Sequence, residues 1–158
     1  MISTGQTVPS VQVFVAAGEG PQQITTDELF EGKKTVLFSV PGAFTPTCSA
    51  KHLPGFVAKK DEFRAKGIDQ IVCMAVNDAF VMKAWGDSAD AEGIVMLADG
   101  NADLAEALGL EMDGSGFGLG KRSQRFAMVL DGTKVTHLFV EEPGAFEVSS
   151  AEHVLSNL

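Results

Sequence analysis

Hydrophobic and polar positions along the chain follow two periods, and the switches between them mark out the elements. Val11, Val13 and Val15 alternate with Gln12 and Phe14, a period-two pattern that predicts a strand ended by Gly18, Gly20 and Pro21. Thr25 with Glu28 three residues on is a capping-box pattern for a short helix carrying Leu29 and Phe30 and closing before Gly32. Residues 35–40 are almost continuously apolar, as a central strand covered on both faces requires, and Pro41-Gly42 stop them. From Cys48 to Lys66 the period lengthens. Leu53, Phe56, Val57 and Phe63 recur at helical spacing among charged residues, with Gly67 as the stop and a kink expected at Pro54.

Residues 71–76 predict the next buried strand, 79–85 a helix, 94–98 a strand, and 101–108 a short helix capped by Asn101. The β-α-β-α-β-α alternation predicts an α/β layered domain with parallel pairings. Segments 125–130 and 133–140 flank Asp131-Gly132, the strongest short hairpin signal in the chain. Ser149, three residues before Glu152, opens a final helix through Val154 and Leu155.

Composition narrows the class. A chain of 158 residues, 45% hydrophobic, fits one buried core, and residues 1–158 read as a single domain. A net charge of -9 opposes a sequence-independent grip on nucleic acid or an anionic membrane. No apolar run approaches the ~20 residues of a membrane span, and no basic, then apolar leader opens the chain. The expectation is a soluble cytoplasmic protein, or an organellar one if a cleaved targeting segment precedes this sequence. His52, His137 and His153 lack metal-ligand spacing, so neither a metal nor another cofactor is implied.

The two cysteines are too few for a disulfide scaffold, but they differ in setting. Cys48 follows a buried strand and a Pro/Gly turn and falls in the first turn of a helix, where free amides favour negative charge and a thiolate forms more readily. Its plain alternative is a small packed residue. Thr45 stands where a C-x-x-C motif would carry its first cysteine, so no disulfide can close within this loop. The Thr45 hydroxyl suits a hydrogen bond to a thiolate or an incoming oxygen, or simple turn capping. His52 lies one turn after Cys48 on the same helix face, placed either to influence the thiol or to sit partly exposed. Arg125 opens an otherwise apolar strand and must point to solvent or meet an anion. Cys73, in the apolar run 71–76, reads as an inert core cysteine. The glycine-rich run 114–121 fails the register of a phosphate-binding loop and reads as a mobile loop.

The string Pro41-Gly42-Ala43-Phe44-Thr45-Pro46-Thr47-Cys48-Ser49 with His52-Leu53-Pro54-Gly55-Phe56 resembles the active-site signature of the peroxiredoxins, in particular the peroxiredoxin-five (type II) subfamily. The likeness continues through Val76 to Val81, Trp85-Gly86, Leu97-Ala98-Asp99 and Arg122 to Val129, nearly the whole chain in family order. It implies a thioredoxin-like fold, a central mixed β-sheet flanked by helices, and thiol-dependent reduction of hydrogen peroxide and small organic hydroperoxides. By the resemblance Cys48 is the peroxidatic nucleophile and Thr45 holds the peroxide oxygen. Arg125 stabilises thiolate and transition state, and Pro41 shields the site, with Gly42 and Thr47 completing the substrate contacts. It further implies a homodimer, with Phe44, Phe80 and Phe117 as candidate interface residues, their plain alternative being ordinary core or loop aromatics. Some members resolve the sulfenic acid with a cysteine near the C-terminus. Residues 137–158 hold none, which points to one-cysteine turnover by an external thiol such as glutathione, glutaredoxin or thioredoxin. Lys51, Lys121 and Arg122 are the cations placed to attract an anionic thiol. Two other readings stay open: a thiol-disulfide oxidoreductase, and a non-catalytic binding or chaperone module.

Overall fold

A computed structural model describes residues 1–18 and 20–158. The alternating valines form β1 (Gln12–Ala17), and its partner is a strand that the pattern had hidden, β2 (Gly20–Thr25). β1 ends before Gly18 as expected, but Gly20 and Pro21 also begin a second, edge strand, where a missing ladder donor can face away from the sheet. Thr25 caps α1 (Thr26–Phe30), its hydroxyl oxygen accepting the Glu28 amide at 3.2 Å, as the capping box requires.

The remaining strands are β3 (Lys34–Ser39), β4 (Gln70–Ala75), β5 (Ile94–Ala98), a short pair β6 (Glu111–Asp113) and β7 (Lys121–Ser123), then β8 (Phe126–Asp131) and β9 (Lys134–Val140). Seven of them make a mixed sheet in the order β2-β1-β5-β4-β3-β8-β9. The predicted parallel pairings are β3 with β4 and β4 with β5, and the Asp131-Gly132 turn joins the antiparallel β8 and β9. The glycine-rich run 114–120 connects β6 and β7 through a 3-10 turn at Ser115–Phe117, so it is the loop of a small hairpin.

Apolar residues cover both sheet faces, which explains the unbroken run in β3. Val36, Phe38 and Val40 join Phe56, Phe63, Cys73 and Trp85 on one face; Leu37 joins Val72, Leu104, Phe126 and Met128 on the other. The first face is covered by α2 (Leu53–Ala65), α3 (Ala79–Ser88) and α5 (Ala151–Ser156). Each buried Phe or Leu of this kind contributes roughly 1.5–3 kcal/mol relative to exposure.

Pro54 lies inside a continuous helical run from 46 to 65, and the ladder is disturbed just ahead of it: Cys48–His52 form a π-turn in which the Leu53 amide donates to the Cys48 carbonyl. Two local expectations are corrected. Asn101 does not cap the fourth helix, α4 (Asp103–Leu108). Ala102 occupies the cap position at φ 63°, and the Asp99 carboxylate accepts the Leu104 and Ala105 amides instead. The last helix is capped by Ser150, not Ser149, because the Ser149 side chain is drawn inward to Glu141.

Candidate active site

Four stretches of chain meet at one end of the sheet, and the strand directions bring them there. β3 and β4 run parallel, so the 41–48 turn and Asn77 leave at the same end. β8 runs against β3, with Ser39 opposite Phe126, so Arg125 enters there; Val140 pairs with Phe126, so β9 delivers Glu141 to the same place. The turn is held from both sides. The Val40 amide donates to the Met74 carbonyl at 3.1 Å, the Ala43 amide to Asn77 Oδ1 at 2.9 Å, and Arg122 Nη1 to the Pro41 carbonyl at 3.1 Å. Gly42 allows the close approach of Arg122: a Cβ there would lie 2.5 Å from Nη1 and displace the guanidinium. Phe44 takes φ 65°, a left-handed conformation that side chains disfavour, within the same turn.

Cys48 is fully buried. Thr45 Oγ1 lies 2.8 Å and Arg125 Nη2 3.1 Å from its Sγ. Thr45 Oγ1 also lies 2.7 Å from the Gly42 carbonyl. A hydroxyl carries one proton, so these two contacts describe a switch. Against a neutral thiol, the S–H donates to Thr45, which donates to Gly42. Against a thiolate, the Thr45 proton turns to the sulfur. Arg125 donates to sulfur in either case and pairs with no carboxylate among the described residues. Its guanidinium packs 5.8 Å from the centre of the Phe146 ring.

His52 is not partly exposed, as its helical position suggested, but wholly buried. It touches Arg125 and not the sulfur: Arg125 Nη1 donates to His52 Nδ1 at 2.8 Å, while His52 Nε2 lies 2.9 Å from the Ser149 carbonyl. A guanidinium can only donate and a carbonyl can only accept, so the ring is the neutral Nε2–H tautomer. Burial, and then the Arg125 charge, lower its pKa to about 3. Cys73 is buried in β4 on the same sheet face, as its apolar strand suggested, and burial first, then the neighbouring Cys48, push its thiol well above the ordinary range.

Pro41, Thr47 and Arg125 line a cleft of about 700 Å³ together with Met112, Phe117 and Pro143. Gly42 is buried and does not line it. Of the cations expected to attract an anionic thiol, Lys121 is committed to Glu106, Arg122 is engaged with the Pro41 and Leu119 carbonyls, and Lys51 is exposed. Phe44, Phe80 and Phe117 are 55%, 69% and 87% exposed. No cluster of potential metal ligands occurs among the described residues, and none of their helices is long and apolar enough to cross a membrane. Sequence reasoning missed Asn77, the bracing role of Arg122, and the Ser149 carbonyl. Only the position of His52 on the Cys48 helix gave any signal for its contact with Arg125.

A family model described as Redoxin matches residues 3–155. Peroxiredoxin-2D of Arabidopsis thaliana is 47% identical over 159 residues, spanning 99% of this chain and 98% of that protein. The chain belongs to the peroxiredoxin family. Another peroxiredoxin, the chloroplastic peroxiredoxin-2E-2 of Oryza sativa subsp. japonica, is 50% identical over 164 residues, covering 99% of this chain and 72% of its own. Among solved structures, reduced Prx3 from Vibrio vulnificus in complex with hydrogen peroxide superposes with a TM-score of 0.96 at 55% identity, covering 99% of both chains. The mixed sheet flanked by helices is thus the thioredoxin fold of the peroxiredoxins, and membership supports thiol-dependent peroxidase chemistry.

Proposed function

We propose that this protein reduces hydrogen peroxide and small organic hydroperoxides at Cys48, by a one-cysteine cycle completed by an external thiol. The observation that carries this reading is the convergence of Thr45 Oγ1 and Arg125 Nη2 on Cys48 Sγ at 2.8 and 3.1 Å. The Cys48 thiolate attacks one peroxide oxygen, an S–O bond forms as the O–O bond breaks, and the leaving RO⁻ takes a proton to become ROH. Sulfur loses two electrons to the peroxide and becomes a sulfenic acid. Thr45 and Arg125 stand within reach of the negative charge as it passes from sulfur to the departing oxygen, and Pro41 covers the site from water. Pro41, Gly42, Thr45, Thr47 and Arg125 supply the peroxide contacts. A reducing thiol then displaces water from the sulfenic acid to give a mixed disulfide, and a second thiol releases reduced Cys48.

Cys73 takes no part as a nucleophile, because its buried thiol stays protonated. Thr45 in place of a second active-site cysteine argues against a disulfide oxidoreductase. The exposed rings of Phe44, Phe80 and Phe117 support self-association as a homodimer. To test the reaction, reduced protein is mixed with one equivalent of hydrogen peroxide and Cys48 oxidation is followed by mass spectrometry, with Cys48→Ser and Cys73→Ser alongside. Wild type and Cys73→Ser should oxidise orders of magnitude faster than free cysteine. Oxidation no faster than free cysteine sinks the peroxidase reading. Loss of turnover in Cys73→Ser with glutathione plus glutaredoxin and with thioredoxin alike, after a normal first oxidation, sinks the one-cysteine cycle.

A further inference from the structure

One buried carboxylate near the site plays no part in the chemistry above. Glu141, just beyond β9 and 7% exposed, gathers four donors on a single oxygen. Its Oε2 accepts the amides of Glu147, Val148 and Ser149 at 2.8, 2.9 and 2.8 Å and the Ser149 hydroxyl at 2.7 Å. Burial alone would raise its pKa, but the Ser149 hydroxyl and the three amides hold the carboxyl below the ordinary range. Three consecutive amides aimed at one anion fix the course of the backbone at 147–149.

That backbone presents the Ser149 carbonyl to His52 Nε2 at 2.9 Å. An acceptor at Nε2 puts the ring proton there and leaves the Nδ1 lone pair for Arg125 Nη1 at 2.8 Å, while Nη2 of the same rigid guanidinium reaches Cys48 Sγ at 3.1 Å. We propose that Glu141 is a positioning residue for the Cys48 reaction: by fixing the Ser149 carbonyl it selects the His52 tautomer, and the tautomer aims Arg125 at the sulfur. The inference rests on the reading of Cys48 as the peroxide-reactive residue. From the Ser149 carbonyl onward each link is a single hydrogen bond of fixed polarity, so the relay has one sense. If the Ser149 carbonyl turns away, only the Arg125 donor is left to keep the proton on Nε2, and any Nδ1–H ring would meet that guanidinium head-on and push it off the sulfur. A displacement of about 1 Å at a reacting centre can cost on the order of a hundredfold in rate.

The test uses Glu141→Ala, Glu141→Gln and Glu141→Asp in the full chain. Peroxide oxidation is followed by the fluorescence of Trp85, whose Nε1 donates to Ser49 Oγ at 3.0 Å beside Cys48. Since the donors converge on one oxygen, glutamine can present its carbonyl oxygen to all of them, and Glu141→Gln should fall no more than about threefold. Aspartate keeps the charge but withdraws it by one methylene, and Glu141→Asp should fall about tenfold, with Glu141→Ala lower by ten- to a hundredfold. This order, Gln above Asp, is opposite to what a long-range charge effect gives. Nitrogen NMR of His52 should show Nε2–H in the wild type and a tautomer mixture in Glu141→Asp, a signature that lost stability alone does not produce. In a His52→Leu background, removing Glu141 should cost little further. Should Glu141→Ala fail to fold, the Asp and Gln variants and the wild-type spectrum decide. Equal rates for wild type, Gln and Asp, an Nδ1–H ring in the wild type, or a full additive loss in the His52→Leu background overturns the proposal. A wild type that does not oxidise Cys48 overturns the peroxidase reading, whereas the tautomer is read without any peroxide.

Discussion

Lowering the pH from 8 to 5 should cost the folded protein about 2 kcal/mol through His52 alone. The imidazole is enclosed between Phe38, Phe56 and Phe146, with ring centroids 4.9, 5.7 and 5.0 Å away, and its Nδ1 faces a guanidinium. Burial is the largest cause of its lowered pKa and Arg125 the next; the Ser149 carbonyl and Glu141 pull the other way and only partly offset them. Folded His52 therefore titrates at about 3, against roughly 6.5 in the unfolded chain. Between those values the unfolded chain binds a proton that the native state refuses. This contribution is fully present above pH 6.5 and is lost as the pH falls toward 3. At pH 5 the unfolded histidine is protonated about thirtyfold over its neutral form, and at 1.36 kcal/mol per tenfold that gives about 2 kcal/mol.

The assay is urea unfolding at pH 8 and pH 5 for wild type and His52→Gln. Glutamine breaks the geometry and lowers stability at both pH values, so the quantity of interest is the difference in pH dependence. Asp99, whose carboxyl burial raises against the pull of two amides, titrates in the opposite sense and is common to both proteins. Wild type should lose about 2 kcal/mol more than His52→Gln between the two pH values. An equal loss would refute the assignment of a buried, neutral imidazole.

Other expectations follow from single contacts. Arg122→Ala releases the Pro41 and Leu119 carbonyls, so peroxide oxidation of Cys48 should slow by about tenfold, with partial recovery in Arg122→Lys, which can hold one carbonyl at a time; an unchanged stopped-flow rate would show that the turn holds itself. Phe56→Ala opens a hole between Phe38 and Phe63, whose rings lie 4.1 and 5.4 Å away, and should cost about 3–5 kcal/mol by chemical denaturation. Asp99→Ala strips the amides of Leu104 and Ala105 of their acceptor and should cost about 1–2 kcal/mol by the same measurement. Because Asp113, Glu141 and Glu142 line the cleft against Arg125 as its single cation among the described residues, while Lys121 is paired with Glu106, raising the ionic strength should speed reduction of oxidised Cys48 by glutathione and leave the hydrogen peroxide step unchanged. Slower reduction at high salt would instead make Lys51 and Arg122 the controlling charges.

What could be read in the sequence is what the chain builds locally. The 41–48 turn, the buried strand before it, the Thr25 cap and the Asp131-Gly132 hairpin each depend on neighbours within a few residues, and each is where the pattern puts it. The errors share an opposite cause. Pro21 reads as a stop until β2 is known to be an edge strand; Ser149 reads as a cap until Glu141 competes for it; Asn101 reads as a cap until Asp99 supplies two acceptors. His52 reads as a surface residue because its partners, Arg125 and Ser149, lie 73 and 97 positions away.

Such distant meetings are decided by strand register, which is the least local property of a sheet. Arg125 reaches Cys48 because Phe126 sits opposite Ser39, two residues before Pro41. Phe126 to Leu130 are all buried, so apolarity alone does not say which face each residue takes. The choice is made by the β3–β8 register itself, while the Asp131-Gly132 turn, with Gly132 at φ 60°, and the irregularity between Val129 and Leu130 set β9 against β8 and so bring Glu141 to the same end. A slip of one residue would carry Arg125 to the opposite face of the sheet and leave the Cys48 sulfur with Thr45 alone. The reactive centre is therefore as much a consequence of the β3–β8 register as of the motif that contains the cysteine.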